Sequence, residues 1–190
     1  MKKTLLVLSI TLLGTLLGSN VMGQDKNAAT NSLSLGMPEI NLLSSASPSV
    51  NLQLTTAIAG EAVASSATDK TARVKISSVV SGIQTRTLSA KVTTGSVPAG
   101  TTLKLIAMAP NSSFGGTQGD LVSSDVTLST ASDASIITGI GSCYSGTATD
   151  DGYVLQYTWG LDNPATTYGS IRAVGGGTSI TVTLTLSAGA

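Results

Sequence analysis

No histidine occurs anywhere in the 190 residues, and cysteine occurs once, at Cys143. The missing imidazole removes the commonest general base and the commonest metal ligand. A Ser-His-Asp or Cys-His site therefore has no basis here. A lone cysteine excludes an intrachain disulfide. In an oxidising compartment that thiol is either buried as a small apolar side chain or paired with another chain. Aromatics are equally sparse, with Phe114 and Trp159 each the only one of its kind. Stacking platforms for bases or sugars would have few members, although Tyr144, Tyr153, Tyr157 and Tyr168 all fall late in the chain. No excess of positive charge exists either, with ten Lys/Arg against ten Asp/Glu. A basic surface for nucleic acid is absent.

Long apolar runs are also missing, except at the start. Lys2 and Lys3 precede an apolar stretch from Thr4 to Gly18, followed by Val21, Met22 and Gly23. A charged start, a short apolar core and a small-residue exit form a secretory signal peptide, with cleavage expected after Gly23. A membrane anchor is the alternative, but the run falls short of the ~20 residues that a spanning helix needs. No Cys lies near the cleavage point to carry a lipid. The expected mature chain, residues 24–190, keeps eight Lys/Arg and ten Asp/Glu, a net charge of −2. The expected organisation is a signal peptide over 1–23, a flexible polar leader over 24–31 and one domain over 32–190, with export to the periplasm, the outer cell surface or the medium.

What fills the chain is alternation. Apolar and polar residues alternate in Ser32–Leu35, Val50–Leu54, Arg73–Ile76, Thr87–Val92, Leu103–Ala109, Tyr153–Trp159 and Ile180–Leu186. Ile40, Leu42 and Leu43 form a further apolar patch, Val126 and Leu128 a short strand, and Ile136–Ile137 opens another. Thr167–Ala173 is a further strand candidate. Pro38, Pro48, Val97-Pro98-Ala99-Gly100 and the Gly/Ser stretch 111–120 punctuate the series. The Ala-rich window Ala59–Lys70 is the best candidate for a helix, or else a loop. No other segment keeps a helical apolar period over three turns, and abundant Thr and Val favour pleated surface. Strands that hide one face must pack as two sheets. The fold class is therefore all-β, an immunoglobulin-like β-sandwich of about 7–9 antiparallel strands.

Candidate chemistry is thin. Asp150-Asp151-Gly152 places two carboxylates before a glycine, as calcium loops do, but it lacks alternate spacing and a closing Glu. A hairpin turn ahead of Tyr153 is the plainer reading. The scattered acids lack the aromatic-rich cleft expected of a glycosidase. Asn111-Ser112-Ser113 matches a glycosylation sequon on a loop. Gly175-Gly176-Gly177 lies between strands rather than before a helix, so it is no phosphate cradle. Tyr153, Tyr157 and Trp159 form either a binding patch or, with Leu155 on the same face, a core stripe. No catalytic, cofactor-binding or metal-ligating residue is assigned, and the chain is not expected to be an enzyme.

The segments Ile137-Thr138-Gly139-Ile140-Gly141, Gly152–Tyr157 and Thr181–Leu186 resemble secreted fimbrial and pilin-like β-sandwiches of Bacteroidetes-type cell envelopes. So does the order Met37-Pro38-Glu39-Ile40 and Val97-Pro98-Ala99-Gly100-Thr101. Pilins assembled by chaperone and usher have a terminal strand of alternating apolar residues and a Gly fourteen places from the C-terminus, the place of Gly177. Their penultimate Tyr is Gly189 here, and their Cys pair is reduced to Cys143. The resemblance implies a structural or adhesive envelope subunit that associates with its own copies or other envelope subunits through strand addition. The alternative is a monomeric ligand- or glycan-binding module. Neither reading involves nucleic acid or a membrane span after signal removal.

Overall fold

The computed structural model describes residues 30–46, 49–55, 58–63, 65–110, 114–174 and 177–188. The signal-peptide residues, most of the polar leader, the 111–113 sequon and Gly175-Gly176 lie outside them. The chain divides into two units, residues 1–37 and 38–190. In the first, residues 30–37 carry no helix or strand, and Leu33, Leu35 and Met37 are 78%, 90% and 80% exposed.

The second unit is a two-sheet antiparallel sandwich. The sheets are built from β1 (Ile40–Ala46), β2 (Ser66–Val79), β3 (Arg86–Thr94), β4 (Thr101–Met108), β5 (Gly115–Gly116), β6 (Asp120–Leu121), β7 (Val126–Thr127), β8 (Ala134–Ile140), β9 (Cys143–Tyr144), β10 (Tyr153–Leu161) and β11 (Thr181–Ala188). One sheet runs β5-β9-β2-β10-β4-β7, with β1 added to β2, and the other runs β11-β3-β8-β6. β1 pairs the C-terminal half of β2, Arg73–Val79, whose opposite edge takes β10 and then β9.

Alternation places the core. Ala72, Val74 and Ile76 of β2, Leu103 and Leu105 of β4, and Tyr153 and Leu155 of β10 turn inward from one sheet. Leu88, Ala90 and Val92 of β3, Ile137 of β8 and Leu186 of β11 meet them from the other. Each such side chain contributes about 1.5–3 kcal/mol of burial for the larger aliphatics. The outward positions between them are largely Thr, Ser and Lys, so each sheet keeps one wet face.

Four expectations are corrected. Ala59–Lys70 is not a helix: after a turn at 58–61, Ser66 begins β2, and its first half pairs with the C-terminal half of β10. Cross-strand pairing outweighs the helical propensity of the four alanines in that window. Thr167–Ala173 is not a strand. Pro164 starts a helical turn, α1 (Pro164–Thr167), which runs into a 3-10 turn at Tyr168–Ser170. The hydroxyls of Thr167 and Ser170 bend back onto the carbonyls of Asn163 (2.8 Å) and Thr167 (2.7 Å), competing with any ladder. Ser32–Leu35 and Val50–Leu54 alternate as strands do, yet neither segment joins a sheet. Val50 and Leu52 instead lie half-buried against the core.

Candidate functional site

The aromatic stripe of β10 resolves as core. Tyr153 is fully buried, and its hydroxyl donates to the Gln118 carbonyl at 2.5 Å. Its ring meets Phe114 edge-on at 5.4 Å. Tyr157 is buried, and Trp159 donates from Nε1 to Thr101 Oγ1 at 2.9 Å. Burial pushes the Tyr157 phenol up to about 12, and burial with the neighbouring Cys143 pushes Tyr153 well above its ordinary value. Both phenols stay neutral at physiological pH, and neither faces solvent as a binding surface would. Cys143 is a free buried thiol whose pKa is raised by the same desolvation, which works against thiolate chemistry.

The paired carboxylates are separated in role. Asp151 is buried and accepts from the Ala148 backbone N–H at 2.7 Å, bracing its own turn. The same turn is held from outside by Lys75, whose Nζ donates to the Thr147 and Ala148 carbonyls at 3.0 and 2.6 Å. A lysine ammonium thus occupies the carbonyl pair that a cation would use. Among the described residues, no three His, Cys, Asp or Glu side chains come together as a metal site. No described helix is long and apolar enough to cross a membrane.

Two features emerge that sequence reasoning did not single out. Arg86, at the start of β3, is buried between the sheets. Its Nε donates to Ser78 Oγ (3.1 Å), and its Nη2 donates to the Val79 carbonyl (3.2 Å) and to Glu39 Oε2 (3.4 Å). One guanidinium therefore ties β3 to the end of β2 and to the residue that precedes β1. A single Arg in an alternating run carries no local signal of such a bridge. The second feature is an open side of the sandwich. Among the described residues, β11 pairs only with β3, and β1 only with β2. Asn41 Nδ2 donates to the Leu186 carbonyl at 3.1 Å, linking the two edges at one point. Toward the other end of β11, Leu184, Val182 and the preceding Ile180 are only half-buried while Leu186 is buried. The core is covered progressively less along that strand.

No protein family, curated protein or solved structure matches the chain.

Proposed function

We propose that this chain is an exported structural or adhesive subunit of the bacterial cell envelope, built on an immunoglobulin-like sandwich, which joins neighbouring subunits by strand addition and performs no catalysis. The observation that carries this reading is a complementarity within one chain. Leu33, Leu35 and Met37 present apolar side chains at alternate positions to solvent, while the edge of β11 that no described strand pairs is lined by half-covered Val182 and Leu184. An extended segment laid along such an edge gains backbone hydrogen bonds from the ladder and specificity from pockets for alternate side chains.

Magnitudes decide what kind of association this is. Each of the three side chains brings about 1.5–3 kcal/mol when buried, whereas ordering each backbone residue costs about 1–2 kcal/mol. The two nearly cancel over a short segment, so the ladder bonds, at ~0.5–1.5 kcal/mol each, set the net affinity. Association is then concentration-dependent in isolated protein and strong only where many subunits are held close together.

Sedimentation velocity of the exported protein over a concentration series tests the reading. The expected result is growth of larger species with concentration. The triple variant Leu33→Ser, Leu35→Ser, Met37→Ser should lose them at unchanged thermal stability. A wild-type protein that stays monomeric at high concentration, or a variant that assembles equally well, refutes it and leaves the monomeric binding module.

A further inference from the structure

The parity of β11 shows which of its backbone groups are unclaimed. In an antiparallel ladder the N–H and C=O of one residue point to the same edge, and successive residues alternate. Leu186 turns its carbonyl away from β3, because that carbonyl accepts from the Asn41 side chain of β1 at 3.1 Å. Val92 of β3, which lies opposite Val182, donates its N–H away from β11, to the Ser129 carbonyl at 3.1 Å. Both bonds give the same parity. Val182 and Leu184 therefore aim N–H and C=O at the edge that no described strand pairs, and no hydrogen bond among the described residues takes those groups.

The side chains follow the same line. Leu186 is 8% exposed, while Leu184, Val182 and Ile180, at alternate positions, are only half-buried against the core. Unpaired backbone and uncovered apolar side chains coincide over residues 180–184 and end where Asn41 holds Leu186. An unmet ladder calls for an extended chain, and three uncovered positions at period two call for three apolar side chains at period two. Leu33, Leu35 and Met37 are such a set, and residues 30–37 carry no charge and no helix or strand of their own. Residues 180–186 are uncharged as well, so nothing repels the approach.

From this match we infer that residues 32–37 of a second copy seat on β11 with Leu35 opposite Val182, and that Asn41 is the stop that sets this register. Leu35 is the middle of one triad and Val182 the middle of the other, so their pairing holds whichever way the incoming strand runs. In the antiparallel sense Leu33 meets Leu184 and Met37 meets Ile180, and in the parallel sense the two exchange. A slide of two residues would bring Leu35 opposite Leu184. It would also send one apolar side chain to Leu186, which is already covered and whose carbonyl is already bonded. A slide of one residue would turn all three apolar side chains to water. The inference rests on the strand-addition reading and adds to it the partner surface and the register.

Disulfide trapping between single-cysteine proteins, in a Cys143→Ser background, is the experiment. Leu35→Cys protein carrying a mass tag is mixed with Val182→Cys, Leu184→Cys or Leu42→Cys protein and oxidised slowly, at a concentration where sedimentation shows assembly. Directly opposed strand residues come within reach of a disulfide. The Leu35–Val182 mixture should trap severalfold more mixed dimer than the Leu35–Leu184 mixture, and Leu42, exposed on β1, should trap none above background. Asn41→Ala in the acceptor should raise trapping at Leu184 severalfold relative to Val182, because the freed Leu186 carbonyl opens the second register. Equal trapping at Val182 and Leu184 with Asn41 in place, trapping chiefly at Leu42, or a ratio unmoved by Asn41→Ala would each overturn the inference while assembly, and with it the strand-addition reading, stands. The comparison of Val182 with Leu184 requires no change at Asn41, so it decides even if Asn41→Ala fails to fold. A protein that stays monomeric in sedimentation overturns both.

Discussion

Arg86 is the place where a single substitution should reveal how the two sheets are joined. The side chain is 9% exposed, while its anionic partner Glu39 is 52% exposed. The ion pair is therefore the weakest of its three links. Water reaches the carboxylate and replaces much of what the guanidinium provides, so Glu39→Gln should cost only about 0–1 kcal/mol. Ser78 is 2% exposed. Ser78→Ala removes the acceptor from Nε and leaves a buried charged donor unmet, which costs about 1–3 kcal/mol. Arg86→Ala is worse. It strips the bonds to Ser78 and Val79 together and empties the space of the aliphatic stem, for a total of about 3–5 kcal/mol. At ~2–4 °C per kcal/mol for a chain of this size, that is a fall in Tm of roughly 10 °C. Arg86→Met keeps the stem and should recover part of the packing but none of the bonds. Trp159, the only tryptophan, is anchored to Thr101 and gives a single-site fluorescence probe for urea melts. The expected order of destabilisation is Arg86→Ala, then Ser78→Ala, then Glu39→Gln. If Glu39→Gln matches Arg86→Ala, the exposed carboxylate is the principal link, and the argument from burial fails.

Alkali should destabilise the fold through buried phenols. The unfolded chain releases the Tyr157 proton near pH 10 and the folded chain holds it to about 12, so stability is complete below pH 10 and falls by about 2–3 kcal/mol as pH rises to 12. Urea melts across that range should show the loss, and Tyr157→Phe should remove its share. Two glycines with positive φ separate strain from space. Gly82 (φ +57°) has open surroundings, and Gly82→Ala should cost about 1 kcal/mol, whereas Gly116 (φ +90°) lies against the Ser142 carbonyl, so Gly116→Ala should cost at least about 3 kcal/mol in the same melts. Cys143→Ser should leave the species seen on non-reducing gels unchanged, because the thiol is buried; a dimer band lost in that variant would make it an intermolecular link.

Much of the sandwich is written in its alternation because each long strand meets partners that share its pattern. β3, β4, β10 and β11 are read directly from Leu88–Val92, Leu103–Ala107, Tyr153–Trp159 and Val182–Leu186. The two-residue strands β5, β6, β7 and β9 are barely legible or illegible, since so short a run has no period. They exist because neighbouring loops happen to lie alongside an edge. The first half of β2 is hidden for another reason. Ala67, Asp69 and Thr71 give no apolar face, and only the register with β10 makes that stretch a strand.

Alternation also states which side of a segment is apolar without stating what will cover it. Leu184 and Leu35 sit in similar Thr/Ser-rich contexts, Thr183-Leu184-Thr185 and Ser34-Leu35-Gly36. The first belongs to a strand paired with β3, and the second is 90% exposed. Val50 and Leu52 fall between these cases, half-buried on the core without a ladder. A strand needs its apolar side covered and its backbone groups paired, and these segments meet both conditions, the first alone, or neither. Where both are unmet among the described residues, as at Leu33, Leu35 and Met37, exposing three large apolar side chains carries a standing cost that a second chain would relieve. That cost, more than any likeness to known assemblies, is the physical reason to look for the partner of residues 32–37 outside the molecule that carries them.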